Sequence, residues 1–253
     1  MNIVVLVKQV PDSSSARALN AGGTVERTSA SNIVNEMDEY AIEEAMKIKE
    51  AHGGEITVLT MGPASATESI RKALSMGPDQ AVHVTDDALH GACAVTTSQV
   101  LAAALAQLDA DLVICGAEST DGRVQVMPQM LAERLGIAAV TGARALTIDG
   151  TRLTAQRQTD EGYEVVTATT PAVVSVWDTI NEPRYPSFKG IMAAKKKPVR
   201  TLSLADLGVA VGEATSEVLD FALRPPRAAG VQVTDEGEGG TRLVAYLAAE
   251  KFV

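Results

Sequence analysis

The sequence predicts an α/β protein. It should have a parallel, twisted sheet with helices on both faces, an antiparallel strand addition and an extended C-terminal arm. Three observations carry this. Short β-branched runs alternate with amphipathic helical stretches from Ile3 to Leu135, the rhythm of βαβ units. After Thr141 three strand-like segments follow one another across short turns, which reads as a meander. From Thr201 to Gly230 the chain is rich in Pro, Gly and Ala and its periodicity fades.

The elements follow in order. Ile3–Val7 is a compact apolar run, suited to a strand buried on both faces. Ser13–Ala30 is small and polar and reads as a loop or weak hairpin. Asp38–Ala51 turns helical, with Ala41, Ala45 and Ile48 on the inner face and Glu43, Glu44, Lys47 and Lys49 mostly outside it. Gly53-Gly54 stops it. Ile56–Leu59 is a second strand. Ser65 and Glu68 have the spacing of a capping box for a helix that buries Ile70, Ala73, Leu74 and Met76 and ends at Gly77. Ala81–Val84 is a strand, Ala94–Leu108 a helix, Leu112–Cys115 a strand, and Val126–Leu135 a helix with Pro128 in its first turn. The meander comprises Ala143–Ile148, Thr151–Gln158 and Tyr163–Thr169, turning at Asp149-Gly150 and Glu161-Gly162. Ala172–Val176 is one more buried strand, and Leu243–Ala249 a terminal helix. The expected division is a nucleotide-binding domain over 1–199, with a loop at 181–197, and an arm over 200–253.

Composition narrows the function. The 253 residues carry a net charge of −10, which argues against nucleic acid or an anionic membrane as the main partner. Aromatics are only 3% of the chain, so the core must be built from aliphatic residues. No apolar run reaches the ~20 residues that span a bilayer. The start, MNIVVLVKQV, reads as a first strand and not a signal peptide, so a cytoplasmic protein is expected. Cys93 and Cys115 lack metal or redox spacing and are expected to be buried thiols.

In an open parallel sheet, ligands gather at the carboxyl ends of the strands. Four segments should meet there: Leu6–Asp12, Asn35–Asp38, Leu59–Ala64 and Gly116–Met127. Most lead into helix N-termini, which suit a phosphate. Neither GxxxxGK[ST] nor GxGxxG is present. The stretch GAESTDGRVQV is the richest loop; it is either a nucleotide loop or an ordinary connection capped by Thr120 or Asp121. His52, His83 and His90 lack metal spacing, and His83 reads as a core residue. Asp86, Asp87 and His90 read as a solvated loop. No Ser stands on a nucleophile elbow. The sequence therefore argues for binding over acid–base or covalent catalysis. NEPRYPSFKGIMAAKKK, 181–197, is either a surface connection or a docking element with an aromatic anchor beside a basic rim.

This stretch, with VKQVPD (7–12), AIEEAMKIKE (41–50), SIRKALSMG (69–77), STDG (119–122), PAVVSV (171–176) and DLGV (206–209), resembles the β subunit of electron transfer flavoprotein, in order and over essentially the whole chain. The resemblance implies an adenine-nucleotide α-hydrolase-like fold and a heterodimer with an α subunit. It implies one FAD held mainly by α, an AMP in β, and a C-terminal arm wrapped on α. It implies transient docking of acyl-CoA and related dehydrogenases, electron delivery to a quinone oxidoreductase or other acceptor, and no reaction of the isolated β chain. Neither nucleic acid nor direct membrane insertion is implied.

By position, AMP contacts fall on Leu6; on Asn35, Glu36, Met37 and Asp38; on Met61; and on the loop from Gly116. In that loop they are Glu118, Ser119, Thr120, Asp121, Gly122, Arg123, Val124, Gln125 and Val126. The docking tip falls on Phe188 with Tyr185, Ile191 and Met192, beside Lys195, Lys196 and Lys197. Ser13 stands where some members place an aromatic over the flavin, and Gln158 where several have a Glu facing an α-subunit arginine. Two other readings stand beside the carrier. One is an electron-bifurcating subunit with a second FAD in place of AMP, against which Arg123 and a shortened loop argue. The other is a stand-alone nucleotide-binding module, which leaves the arm and the docking stretch unexplained.

Overall fold

In the computed structural model, strand β1 (Asn2–Leu6) is the centre from which the sheet grows. The structure describes all residues except 16, 29–30, 213–216 and 231, so parts of the expected 13–30 hairpin and of the arm lie outside the described residues. A small antiparallel pair, β2 (Gln9–Pro11) and β3 (Asn32–Val34), follows β1. Between them Leu19 and Val25 form a single bridge, which is the weak hairpin. Then come α1 (Glu36–His52), β4 (Glu55–Met61), α2 (Thr67–Ser75), β5 (Gln80–Val84), α3 (Ala94–Leu105), β6 (Leu112–Gly116) and α4 (Met127–Leu135). The chain continues through β7 (Ala138–Asp149), β8 (Arg152–Thr159), β9 (Gly162–Thr169), β10 (Ala172–Val176), α5 (Phe188–Ala194), β11 (Val199–Leu202), α6 (Leu204–Leu207) and α7 (Gly239–Ala249).

The main sheet runs β11-β5-β4-β1-β6-β10-β7-β8-β9. Every pairing from β11 to β7 is parallel; β8 and β9 add on antiparallel. Alternation along the strands explains the two cores. Ile3, Val5, Leu112, Ile114 and Val174 face one side, under α1 and α2. Val4, Leu6, Val113, Cys115 and Val173 face the other, under α3 and α4. A strand apolar on both faces can sit only in such a doubly covered sheet.

Several expectations change. Glu43 and Glu44 are not on the solvent side of α1; both are buried, because residues far along the chain cover them. The Ser65–Glu68 capping box does not form. A short 3₁₀ turn over Ala64–Ala66 leads into α2, Ala66 takes the N-cap place, and the Ser65 hydroxyl turns to Gln9 at 3.4 Å. The capping box among the described residues is at α6, between Ser203 and Asp206. The segment 199–207, most of it expected as extended arm, instead adds β11 to the sheet edge beside β5 and then forms α6. β7 starts earlier than expected, parallel to β10 through Ala138–Val140, before a bulge turns it to its antiparallel partner β8. Cys115 is buried, but Cys93 is only half-buried, at the N-cap of α3. Hydrogen bonds from Thr96 lower the Cys93 thiol below its ordinary pKa.

Residues 1–218 form one unit and 219–253 a second. In the second, α7 buries none of its side chains, and Leu243, Val244 and Tyr246 are exposed. Among the described residues no helix is long and apolar enough to cross a membrane.

Candidate functional site

The carboxyl ends of β1, β4 and β6 bring the expected segments to one edge, at Leu6, Met61 and Gly116. Gly116 lets the first turn of α1 press onto the end of β6. A Cβ there would lie 2.5 Å from Met37 Cβ and 2.7 Å from Asp38 Oδ1. Under this contact the buried Asp38 carboxylate accepts from the backbone N–H of Lys8 (2.8 Å), from Asn35 Nδ2 (3.0 Å) and from the backbone N–H of Gly116 (3.3 Å). Burial pushes its pKa up to about 7, against the pull of those three donors and of the Lys8 charge.

Asn35 continues the chain of bonds into the loop. Its Nδ2 also donates to Glu118 O at 2.9 Å, and its Oδ1 accepts from the Thr120 N–H at 3.0 Å. Both its N–H groups and its oxygen are engaged, one N–H on Asp38 and the other two bonds on the loop, as expected of a buried amide. Asp121 does similar work. Its side chain is 2% exposed and meets Lys8 Nζ at 2.7 Å and Arg27 Nη2 at 2.6 Å. Burial alone would raise this carboxyl. The Lys8 charge, with hydrogen bonds from Lys8, Arg27 and Ser119, outweighs burial and holds it at about 2. Lys8 Nζ reaches Ser119 Oγ as well, at 3.2 Å. Glu118 accepts from Gln125 Nε2 at 2.5 Å and lies 3.9 Å from Arg123 Nε.

The outer half of the loop faces solvent. Gly122 to Val126 are exposed, and Arg123 and Gln125 adopt positive φ, 49° and 58°. The backbone N–H groups of 124–127 find no acceptor among the described residues, and they lead straight into the N-terminus of α4. Exposed amides without an acceptor at a helix start are suited to an anion. Glu36, at the first turn of α1, is exposed and accepts from Ser13 Oγ at 2.6 Å. Reading the sequence missed Lys8 and Arg27. A lysine directly after a buried strand at the ligand edge was a signal for the first; Arg27 carried none.

His83 is buried, with Nε2 3.1 Å from Gly62 O. Asp86 caps the turn at Asp87–Leu89 and accepts from Leu204 N. Among the described residues no group of His, Cys, Asp or Glu is arranged to hold a metal ion.

The 181–197 stretch is not an open loop. Ser187 caps α5 by accepting from Gly190 N at 3.0 Å. Tyr185 is 95% and Phe188 80% exposed, and Ile191 and Met192 stand out beside them. Ala194 is the one buried residue of α5. Lys195 and Lys196 are exposed. Lys197 is engaged: its ammonium donates to Leu74 O and Gly77 O, both at 3.0 Å, capping the end of α2. Gln158, on β8, accepts from Arg144 Nη1 at 3.5 Å, and Arg144 lies 5.6 Å over the Tyr163 ring.

A mostly parallel sheet covered by helices, with shaped loops and a helix start at its carboxyl edge, defines a doubly wound α/β protein, a class that takes its ligands at the strand ends. Comparison with known proteins is narrower. A family model described as the electron transfer flavoprotein domain matches residues 22–207. Proteins named electron transfer flavoprotein subunit beta are similar along the whole chain. The one from Mycobacterium leprae is 49% identical over all of this chain and 99% of its own length. The one from Mycobacterium tuberculosis is 50% identical over the same shares, and the one from Bacillus subtilis 37% over all of both chains. The chain belongs to the electron transfer flavoprotein family, as a β subunit.

Proposed function

We propose that this β subunit pairs with an α subunit to form an electron carrier. The pair accepts electrons from acyl-CoA and related dehydrogenases through FAD held mainly by α, and passes them to a quinone oxidoreductase or another acceptor. The β chain holds an AMP at its strand ends, docks the dehydrogenase through α5, and lays the part of the 200–253 arm that follows α6 on α. It works in the cytoplasm and catalyses no reaction alone.

The observation that carries the docking role is α5 itself. A short helix displays Phe188, Ile191 and Met192 to solvent, with Tyr185 exposed in the segment just before it and Lys195 and Lys196 as a rim. Large apolar side chains grouped on a surface mark a partner site, and one anchor with a charged rim suits a transient complex. The strand-end residues fit a mononucleotide. The free amides at 124–127 favour a phosphate. The nearby carboxylates do not oppose it: Asp38 is ringed by N–H donors, Asp121 by two cations, and Glu118 is bonded to Gln125.

The test uses the heterodimer. Phe188→Ala should lower kcat/KM toward an acyl-CoA dehydrogenase by about thirtyfold, the effect of losing an anchor worth about 2 kcal/mol, with FAD content unchanged. Unchanged kcat/KM removes α5 as the docking element. Chromatography of nucleotides released from the same preparation should give FAD and AMP in equal amounts; FAD alone, doubled, would instead make this a bifurcating subunit.

A further inference from the structure

We infer that Arg184 is a positioning residue for docking: its guanidinium fork, seated on two acidic side chains of α1, fixes where α5 presents its apolar face. The inference rests on the docking role proposed for α5. The premise is that α5 cannot place itself. It has seven residues, one of them buried, and a helix that short is not stable alone. Its large apolar groups are exposed, Phe188 at 80% and Ile191 and Met192 at 45% and 48%, so burial of those groups holds it only in part.

Polar contacts hold it from both ends. On the C-terminal side, Arg71 of α2 donates to Ala194 O and Lys197 O, each at 2.7 Å. Midway, Gly190 lies so close to α2 that an added Cβ would be 2.5 Å from Ser75 O. On the N-terminal side the fixture is Arg184 with Asn181. Arg184 Nε and Nη2 donate to the two oxygens of Glu43 at 2.7 and 2.9 Å. Its Nη1 donates to Glu50 Oε1 at 2.6 Å, and its backbone N–H reaches Glu43 Oε2 at 3.2 Å. Asn181 Nδ2 donates to Tyr40 O and Glu44 Oε2, both at 3.0 Å.

This explains why acidic residues are buried on α1, and why the cation is arginine. A planar fork grips one carboxylate with two parallel bonds while a third N–H bridges to the next carboxylate; an ammonium is a point charge and cannot span both in that geometry. Tyr185 follows Arg184 directly and Phe188, the first residue of α5, comes four residues later, so a shift of the guanidinium moves the whole tip.

The experiment compares heterodimers carrying Arg184→Lys, the pair Arg184→Gln with Glu43→Gln, and Phe188→Ala. The paired variant avoids leaving a buried carboxylate without its cation. Each is assayed as electron acceptor for an acyl-CoA dehydrogenase over a range of heterodimer concentrations. Hydrogen exchange is followed in 185–194, and FAD content and reduction by dithionite are controls. Both Arg184 variants should raise KM about tenfold, leave kcat within about twofold, and speed amide exchange in α5 about tenfold, with both controls unchanged. The loss in Arg184→Lys is what separates positioning from simple charge steering. Unchanged KM or unchanged exchange in the paired variant, while Phe188→Ala raises KM, overturns the inference alone. Unchanged KM in Phe188→Ala means that the docking role has failed, and the inference with it.

Discussion

Asp121→Asn isolates the charge at the centre of the loop that follows β6. The asparagine keeps the shape and one accepting oxygen but loses the attraction to Lys8 and Arg27. The carboxyl is held at about 2, against an ordinary value of 3.8. That difference, at ~1.36 kcal/mol per tenfold in proton affinity, is on the order of 2 kcal/mol. Both cations are partly in water, 42% and 41% exposed, so solvent screens them and about 1 kcal/mol should remain. For a chain of this size that is a melting temperature lower by about 2–4 °C. The sign with pH follows from the direction of the shift. A carboxyl whose folded pKa is depressed contributes stability that is complete above its unfolded pKa and is lost as pH falls through the folded one. The deficit of the variant should therefore be full at neutral pH and shrink between about pH 4 and about pH 2. Melts followed by circular dichroism at a series of pH values read it. Equal melting temperatures at neutral pH would refute the reasoning. So would a deficit that stays constant down to the lowest pH at which both proteins fold, because the loss would then come from shape and not charge.

Two further outcomes test the same edge of the sheet. Gly116→Ala forces a methyl into Met37 and Asp38 and should cost about 1–3 kcal/mol, seen as a lower denaturant midpoint and weaker nucleotide retention; an unchanged midpoint would mean that α1 yields there. Asp38 titrates the opposite way from Asp121. With its folded pKa raised to about 7, its contribution favours folding at low pH and is lost as pH rises from about 4 to about 7. Wild-type stability relative to Asp38→Ala should fall across that window in urea titrations, and a flat difference would contradict it.

The sheet was legible because its strands are apolar on both faces and its helices carry one apolar stripe, a pattern only a covered parallel sheet satisfies. The convergence of Leu6, Asn35–Asp38, Met61 and the loop after Gly116 followed from that topology. What escaped depends on contacts between distant residues. Glu43 and Glu44 read as solvent-facing because nothing local hints that Asn181 and Arg184 arrive to cover them. Asp121 read as a cap or a ligand contact, while its carboxylate is taken by Lys8 and Arg27, 113 and 94 residues away. The last lysine of the KKK run read as part of a basic rim, although its ammonium closes α2. FKGIMAA gave no helix signal, because the stripe that should mark a packed face is the exposed one. VRTL, only four residues long and separated from a lysine run by Pro198, was too short to announce an edge strand.

The Arg184–Glu43 clamp also has a consequence in time. Its partners are 141 residues apart, and Asn181 and Glu44 are 137 apart. β4 through β10 lie in the chain between them. As the chain is synthesised, α1 is complete long before its arginine exists, and its two acids stay hydrated until the closing of a very long loop brings the cation home. A truncated chain, or one whose intervening strands have not assembled, lacks the N-terminal fixture of α5. If α5 docks a partner as proposed, the contact that aims it is thus also a check on manufacture, because that face is set only on a chain that has finished folding.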